Sequence, residues 1–140
     1  MKKQLLLISM LMLAVTFAFA QNVNVPKVVK AAFDKKYPGA ENPVWKKANT
    51  NFQVHFKKDT KQQAYFSPDG KWLKTAIVID EEELPEASVK YIQESYEEYE
   101  LKQAQKIVTN TGKTSYMVIL MVDEEKVKLG FNASGEYVVK

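Results

Sequence analysis

The chain has 140 residues, of which 46% are hydrophobic and 26% are charged, and it contains no cysteine. This length supports one compact domain, or two small repeats that share a core, and it excludes a large multidomain enzyme. The hydrophobic fraction excludes wholesale disorder, and the lack of cysteine excludes both disulfide bonds and a lipid-modified N-terminal cysteine.

The first twenty residues have the layout of a secretory signal peptide. Lys2 and Lys3 precede an apolar run from Leu5 to Val15, and Ala18-Phe19-Ala20 supplies the small-x-small pattern of a cleavage site. The apolar stretch is shorter than the roughly 20 residues that a membrane-spanning helix needs. We therefore predict that residues 1–20 are removed, which leaves a periplasmic or secreted domain without a membrane anchor.

Charge is divided unevenly along the remaining chain. All basic residues are lysine, and after cleavage 18 lysines stand against 17 acidic residues, so the net charge gives no support to nucleic-acid binding. Residues 21–80 hold 11 lysines and 5 acidic residues, whereas residues 81–140 hold 7 lysines and 12 acidic residues. A basic half is thus joined to an acidic half.

Three blocks of sequence recur in the same order, which indicates an internal duplication. The matched blocks are 25–33 with 84–92, 52–56 with 116–120, and 66–72 with 131–137. We predict a first repeat over 21–80 and a second over 81–140, which together form one compact domain.

Each repeat opens with a predicted helix. Pro26 and Pro85 suit a first helical turn, where the missing N–H costs nothing. Apolar and small residues then follow at helical spacing. They are Val29, Ala32, Phe33 and Tyr37 in the first repeat, and Ser88, Tyr91, Ile92 and Tyr96 in the second.

The rest of each repeat alternates with a period of two, which predicts antiparallel strands. The predicted strands are 43–48, 51–58, 61–67 and 71–79 in the first repeat, and 102–110, 113–122, 125–132 and 136–139 in the second. The segments 67–70 and 132–135 predict type I turns whose glycine takes the left-handed conformation. The predicted fold class is α+β, with two tandem helix-plus-strand repeats and a sheet covered by two helices on one face.

The signal peptide, the doubled unit, the Trp45…Phe52-x-Val54-x-Phe56 stretch and the aromatic-turn-Gly-x-aromatic hairpins resemble a known group. This group is the bacterial periplasmic PepSY-like proteins, also described as β-lactamase-inhibitor-like. The resemblance implies two tandem α-plus-β repeats that form a sheet with a helical side and an exposed side. It also implies binding or inhibition of a protein, but it assigns no inhibitory residue to a position of this sequence.

Residues that would support catalysis or metal binding are scarce. His55 is the single histidine, and it lies between Val54 and Phe56 in the middle of a predicted strand, where the simplest interpretation is a half-exposed sheet residue. One histidine without thiols does not make a zinc site. The acidic runs 81–83 and 123–125 are interpreted as solvated turns. We expect no enzyme, no cofactor and no metal.

The uncovered face of the predicted sheet carries the strongest functional signal. If Val54 and Val118 point toward the helices, then Met117, Ile119 and Met121 point away from them. One explanation is a central strand buried on both sides, beneath a neighbouring loop or a partner in a homodimer. The other is a binding surface for apolar ligands or peptides. Its margin would then be formed by His55, Tyr65 and Trp45, although packing of Trp45 in the core or at its rim is the other interpretation of that residue.

These observations predict an exported, non-catalytic binding or inhibitor-like module that recognises a periplasmic or extracellular protein or peptide through the open face of its sheet. The sequence does not identify that partner. The alternative is a carrier of a small apolar or envelope-derived ligand, which would need an enclosed pocket of a few hundred Å³.

Overall fold

The computed structural model describes residues 23–138, so the predicted signal peptide lies outside the described residues. Within this range no helix combines the length and the apolar character that crossing a membrane requires. The helices are α1 (Lys27–Lys36) and α2 (Glu86–Ser95), with a 3-10 turn at Glu81–Glu83. The strands are β1 (Glu41–Ala48), β2 (Asn51–Lys58), β3 (Thr60–Phe66), β4 (Trp72–Ile79), β5 (Glu100–Thr109), β6 (Thr114–Val122) and β7 (Glu125–Asn132).

The seven strands form one antiparallel sheet in which spatial order follows chain order from β1 to β7. The strands of the two repeats join where β4 pairs with β5, in register from Lys74 opposite Thr109 to Ile79 opposite Ala104. The predicted α+β class is therefore confirmed, and the two repeats contribute to a single sheet. The boundary between residues 80 and 81 remains a prediction.

Both helices cover the same face of the sheet. Each helix buries its apolar side on strands of its own repeat, and the pairing of β3, β4, β5 and β6 places those buried residues on one side. Val29 and Phe33 of α1 pack into a cluster with the first three strands. Ile92 of α2 packs into a second cluster with β5, β6 and β7. Val54 and Val118, at equivalent positions of the two repeats, are fully buried in these two clusters. The register inferred from the period-two alternation is confirmed.

A buried hydroxyl ties the end of α1 to the middle strand. Thr75 of β4 is 2% exposed, and its Oγ1 is hydrogen-bonded to the hydroxyl of Tyr37, just beyond α1. The same oxygen accepts a hydrogen bond of 2.8 Å from Trp72 Nε1. The Lys36 ammonium lies 3.7 Å from the centroid of the Trp72 ring. Burial raises the pKa of Tyr37, so the phenol stays protonated in this contact.

The turn glycines hold the hairpins against the helices. Gly70 and Gly135 adopt φ of +87° and +86°, which favours glycine, and their N–H groups close the predicted turns. A Cβ at Gly70 would lie 2.9 Å from Val28 Cγ2, and one at Gly135 would lie 2.6 Å from Pro85 Cβ. Each turn therefore packs on the first turn of its own helix, a relation that the two repeats share.

The predicted eighth strand at 136–139 is wrong for the residues that the structure describes. Only one bridge forms, between Phe131 and Tyr137, together with a 2.9 Å hydrogen bond from the Val138 N–H to the Gly130 carbonyl. The Tyr137 ring stacks on Tyr91 of α2 with centroids 4.7 Å apart. The Phe131 ring makes a second, edge-on contact with Tyr137, at 6.1 Å between centroids. The segment is thus held by these aromatic contacts and a short pairing, and residue 139 lies outside the described range.

Replacing turn glycines with alanine separates backbone strain from steric overlap. Gly112 has a φ of +82°, but an added Cβ would meet nothing within 4 Å. We expect Gly112→Ala to lower the free energy of unfolding by about 1 kcal/mol and Gly135→Ala by about 3 kcal/mol, because only the latter also pushes on α2. Urea unfolding measures both, and equal losses would contradict the packing of Gly135 on the helix.

A double-mutant cycle tests the contact between Tyr37 and Thr75. We expect Tyr37→Phe and Thr75→Val each to lower the free energy of unfolding by about 1–2 kcal/mol. The double variant should lose about 1 kcal/mol less than the sum of the single losses, because both substitutions remove the same hydrogen bond. Urea unfolding of the three variants measures this coupling, and strictly additive losses would show that the two hydroxyls do not interact.

Candidate functional site

The outer face is defined as the side of the sheet away from α1 and α2. Side chains alternate across a sheet, so residues next to the buried Val54 and Val118 lie on the outer face. Cross-strand partners share a face, which extends this assignment from β1 to β7. Among the described residues the helices pack only on the opposite side, so the outer face is the open face that the sequence predicts.

Three large apolar side chains follow one another along the outer face of β6. We call Met117, Ile119 and Met121 the methionine strip, and all three are half-buried. Ile119 is flanked by Gln103 of β5 and Lys128 of β7. The strand is central, and these outward side chains are less buried than its inward Val118 and Leu120.

The three residues predicted at the margin of the strip do not share one face. Tyr65 and His55 lie on the outer face, where Tyr65 pairs with Gln53 and His55 pairs with Val44. Trp45 pairs with the buried Val54, so the prediction that it borders the open face is wrong. Its ring packs in the first core cluster, with its centroid 5.4 Å from that of Phe33 in an edge-on contact. Trp45 thus belongs to the core.

A groove of about 350 Å³ crosses the outer face of the first repeat and reaches β5. Its lining includes Val44 on β1, His55 and Lys57 on β2, Lys61 and Gln63 on β3, Val78 on β4, and Gln103 and Gln105 on β5. Gln105 pairs with Val78 on one side and with Met117 on the other. The groove and the methionine strip therefore adjoin and form one surface.

Glutamine and tyrosine side chains make a hydrogen-bond network beside the groove. Gln53 Nε2 donates to Gln63 Oε1 and to the Tyr65 hydroxyl, each at 3.0 Å. The Lys74 ammonium lies 4.6 Å from the centroid of the Tyr65 ring, and partial burial raises the pKa of that phenol. The network links outer-face side chains of β2 and β3 next to the groove, and Gln63 belongs to both the network and the lining of the groove.

His55 has surroundings that favour its neutral form. Desolvation by partial burial, and secondly the nearby charge of Lys46, lower the pKa of His55. Among residues 23–138 no group of three His, Cys, Asp or Glu side chains is placed to hold a metal ion. With cationic neighbours rather than an orienting carboxylate, the imidazole is suited to donating or accepting a hydrogen bond from a bound molecule.

Sequence reasoning missed most of the groove. Lys57 and Lys61 are directly opposite each other on β2 and β3, and the short hairpin between them was a signal that could have shown this. Val78 and Ile107 also lie on the outer face, Ile107 opposite Ala76. The sequence did not predict which face Val78 and Ile107 occupy, because β4 and β5 carry apolar residues on both faces.

Comparison with known proteins gives matches in structure and none in sequence. No protein-family model matches the chain, and no curated protein resembles it in sequence. A DUF2874 family protein from Bacteroides uniformis superposes with a TM-score of 0.76 at 17% identity, over 83% of this chain and 88% of that one. A protein from Bacteroides eggerthii, provisionally described as periplasmic, gives 0.77 at 16% identity, over 83% and 87%. A BLIP-like protein from Bacteroides fragilis gives 0.69 at 21% identity, over 83% and 84%.

The chain has the BLIP-like fold. The resemblance to PepSY-like proteins that the sequence indicated is thereby confirmed for the fold. At these sequence identities the comparisons establish the fold alone, and they assign no function to any residue of the outer face.

The surroundings of His55 predict how its pKa responds to substitution. Lys46→Gln should raise the pKa of His55 toward its ordinary value of about 6.5, because it removes a nearby positive charge. Lys47→Gln is the matched control, since Lys47 pairs with the buried Phe52 and points to the other face. NMR titration of the single imidazole measures both, and equal shifts in the two variants would contradict the assignment.

The sign of the pH dependence follows from the same surroundings. A histidine whose folded pKa is depressed takes up its proton more readily in the unfolded chain, so protonation favours unfolding. We expect the contribution of His55 to lower stability as pH falls through and below about 6.5. Urea unfolding of the protein and of His55→Gln at pH 7 and pH 5 measures this, and the variant should lose less stability on acidification.

Proposed function

We propose that this chain is an exported, non-catalytic binding or inhibitor-like module that recognises a protein or peptide through its outer face. The observation that carries the proposal is the methionine strip, a half-buried apolar row on the outer face of a central strand. Fully burying one such side chain from water contributes about 1.5–3 kcal/mol, and a partner that covers the strip gains the share that belongs to the surface still exposed. Methionine adapts its shape to different apolar surfaces, which suits recognition of a protein or peptide.

Export rests on the predicted signal peptide at residues 1–20 and on the provisional periplasmic description of the Bacteroides eggerthii protein. The B. fragilis relative in structure is named BLIP-like, which agrees with an inhibitor-like role. The groove beside the strip lies open on the sheet surface rather than closed within a core. An open surface favours a macromolecular partner over a small apolar ligand, which would need an enclosing pocket.

The methionine strip is tested by capture from an envelope extract. We expect the chain from residue 21 to retain a partner that Met117→Lys/Met121→Lys does not, because two ammonium groups on the strip oppose burial of apolar surface. Val28→Lys is the matched control, since Val28 is 52% exposed on α1 and lies on the helical side.

Thermal unfolding must show that all three proteins are folded, and lysine can extend along the outer face with its charge in water. Capture of the same proteins by the strip variant and by the unsubstituted chain would contradict the proposal. Loss of capture in Val28→Lys as well would show that the contact is not made by the outer face.

A further inference from the structure

The outer face carries more lysines than carboxylates. Among its described strand residues are six lysines and two carboxylates, as cross-strand pairing shows. The lysines are Lys46, Lys57, Lys61, Lys74, Lys126 and Lys128, and the carboxylates are Glu41 and Glu100. The ion pairs found within residues 23–138 join Lys90 to Glu94 and Lys102, at the irregular point of β5, to the outer-face Glu100, so none of the six lysines takes part in one.

Two of these lysines face each other in the groove. Lys57 and Lys61 are register partners on β2 and β3, and both line the groove. Like charges directly opposite each other across a pair of strands destabilise the sheet. Glu41 of β1 lies opposite Lys57 on its other side and offsets part of this repulsion. An anion between the two ammonium groups would remove the rest.

The remaining polar groups of the groove suit a carboxylate. Gln63 accepts a hydrogen bond from Gln53, and its own amide nitrogen remains a donor toward the groove. Gln103 and Gln105 add amide donors on the far side. A carboxylate accepts hydrogen bonds from amides and pairs with ammonium groups, and such charge-assisted bonds are stronger than neutral ones.

We propose that the groove binds carboxylate side chains of an acidic segment on a partner protein or peptide, held between Lys57 and Lys61. This inference rests on the proposed function, because it assigns partner chemistry to the same outer face. The occupant is set by charge complementarity, since the uncovered face is lysine-rich and the groove holds one acidic side chain, Glu41, in its lining.

The sheet also sets how far apart the partner's acidic and apolar groups must be. Lys61 lies on β3 and Met117 on β6, and Gln105 connects the groove to Met117 through the β5–β6 pairing. Three strand spacings amount to about 14 Å. The fitting partner therefore presents carboxylates about 14 Å from an apolar group, a separation that an extended peptide spans in about four or five residues.

Binding of a short poly-L-glutamate peptide at low salt tests the carboxylate site directly. We expect Lys57→Gln/Lys61→Gln to weaken binding about tenfold, because both ammonium groups of the site are lost. Lys126→Gln/Lys128→Gln is the matched control, since it removes the same charge from exposed positions of the same face outside the groove. We expect it to weaken binding about twofold or less through long-range attraction alone.

The single histidine gives a second readout of where the peptide binds. Poly-L-glutamate should raise the pKa of His55, because a nearby carboxylate favours the imidazolium, and Lys57→Gln/Lys61→Gln should abolish that rise. An unchanged His55 pKa, or equal weakening in the two double-lysine variants, would overturn the proposal and indicate diffuse attraction.

Binding of poly-L-glutamate and capture from the envelope extract are separate measurements. If Lys57→Gln/Lys61→Gln weakens poly-L-glutamate binding while Met117→Lys/Met121→Lys still captures the envelope partner, the carboxylate site stands and the proposed role of the strip fails. If capture depends on the strip but poly-L-glutamate does not bind, the proposed role of the strip stands and the carboxylate site fails.

Discussion

The fold depends on one constraint: both helices pack on the same side of a continuous antiparallel sheet. Side chains alternate along every strand, so each residue is committed either to the helix-packed core or to the outer face. The pairing of β4 with β5 extends this division across both repeats. Seven strands at their usual spacing give an outer face about 29 Å wide. His55, Tyr65, the groove lysines Lys57 and Lys61, and the methionine strip all lie on that one surface.

The duplicated unit does not produce one uniform core. Each helix packs with the strands of its own repeat, which leaves β4 between two apolar clusters. There the buried Thr75 hydroxyl holds both Tyr37 and Trp72. Because a buried polar group that loses its partners is costly, this contact fixes the end of α1 over the middle of the sheet. This contact lies within the first repeat, and the two repeats are joined by the pairing of β4 with β5.

The two halves of the outer face differ in chemistry, so a partner would meet polar groups at one end and apolar groups at the other. The groove is lined by lysine and glutamine side chains, whereas β6 contributes the methionine strip. Burial of apolar surface supplies affinity, and complementary charge supplies orientation and rate of association. A BLIP-like fold provides the scaffold, and the side chains on the outer face form the proposed recognition surface.

The sequence by itself determined the helices, most strands, the turn glycines and the side on which Val54, Val118 and the methionine strip lie, because these follow from local periodicity and turn chemistry. It misplaced Trp45, since the strand there is irregular between Glu41 and Val44 and alternation does not reveal the paired side. The joining of β4 to β5, which brings Gln105 beside both Val78 and Met117, was decided only by the tertiary structure. Pairing between residues distant in the chain depends on packing of the whole sheet, and no local pattern encodes it.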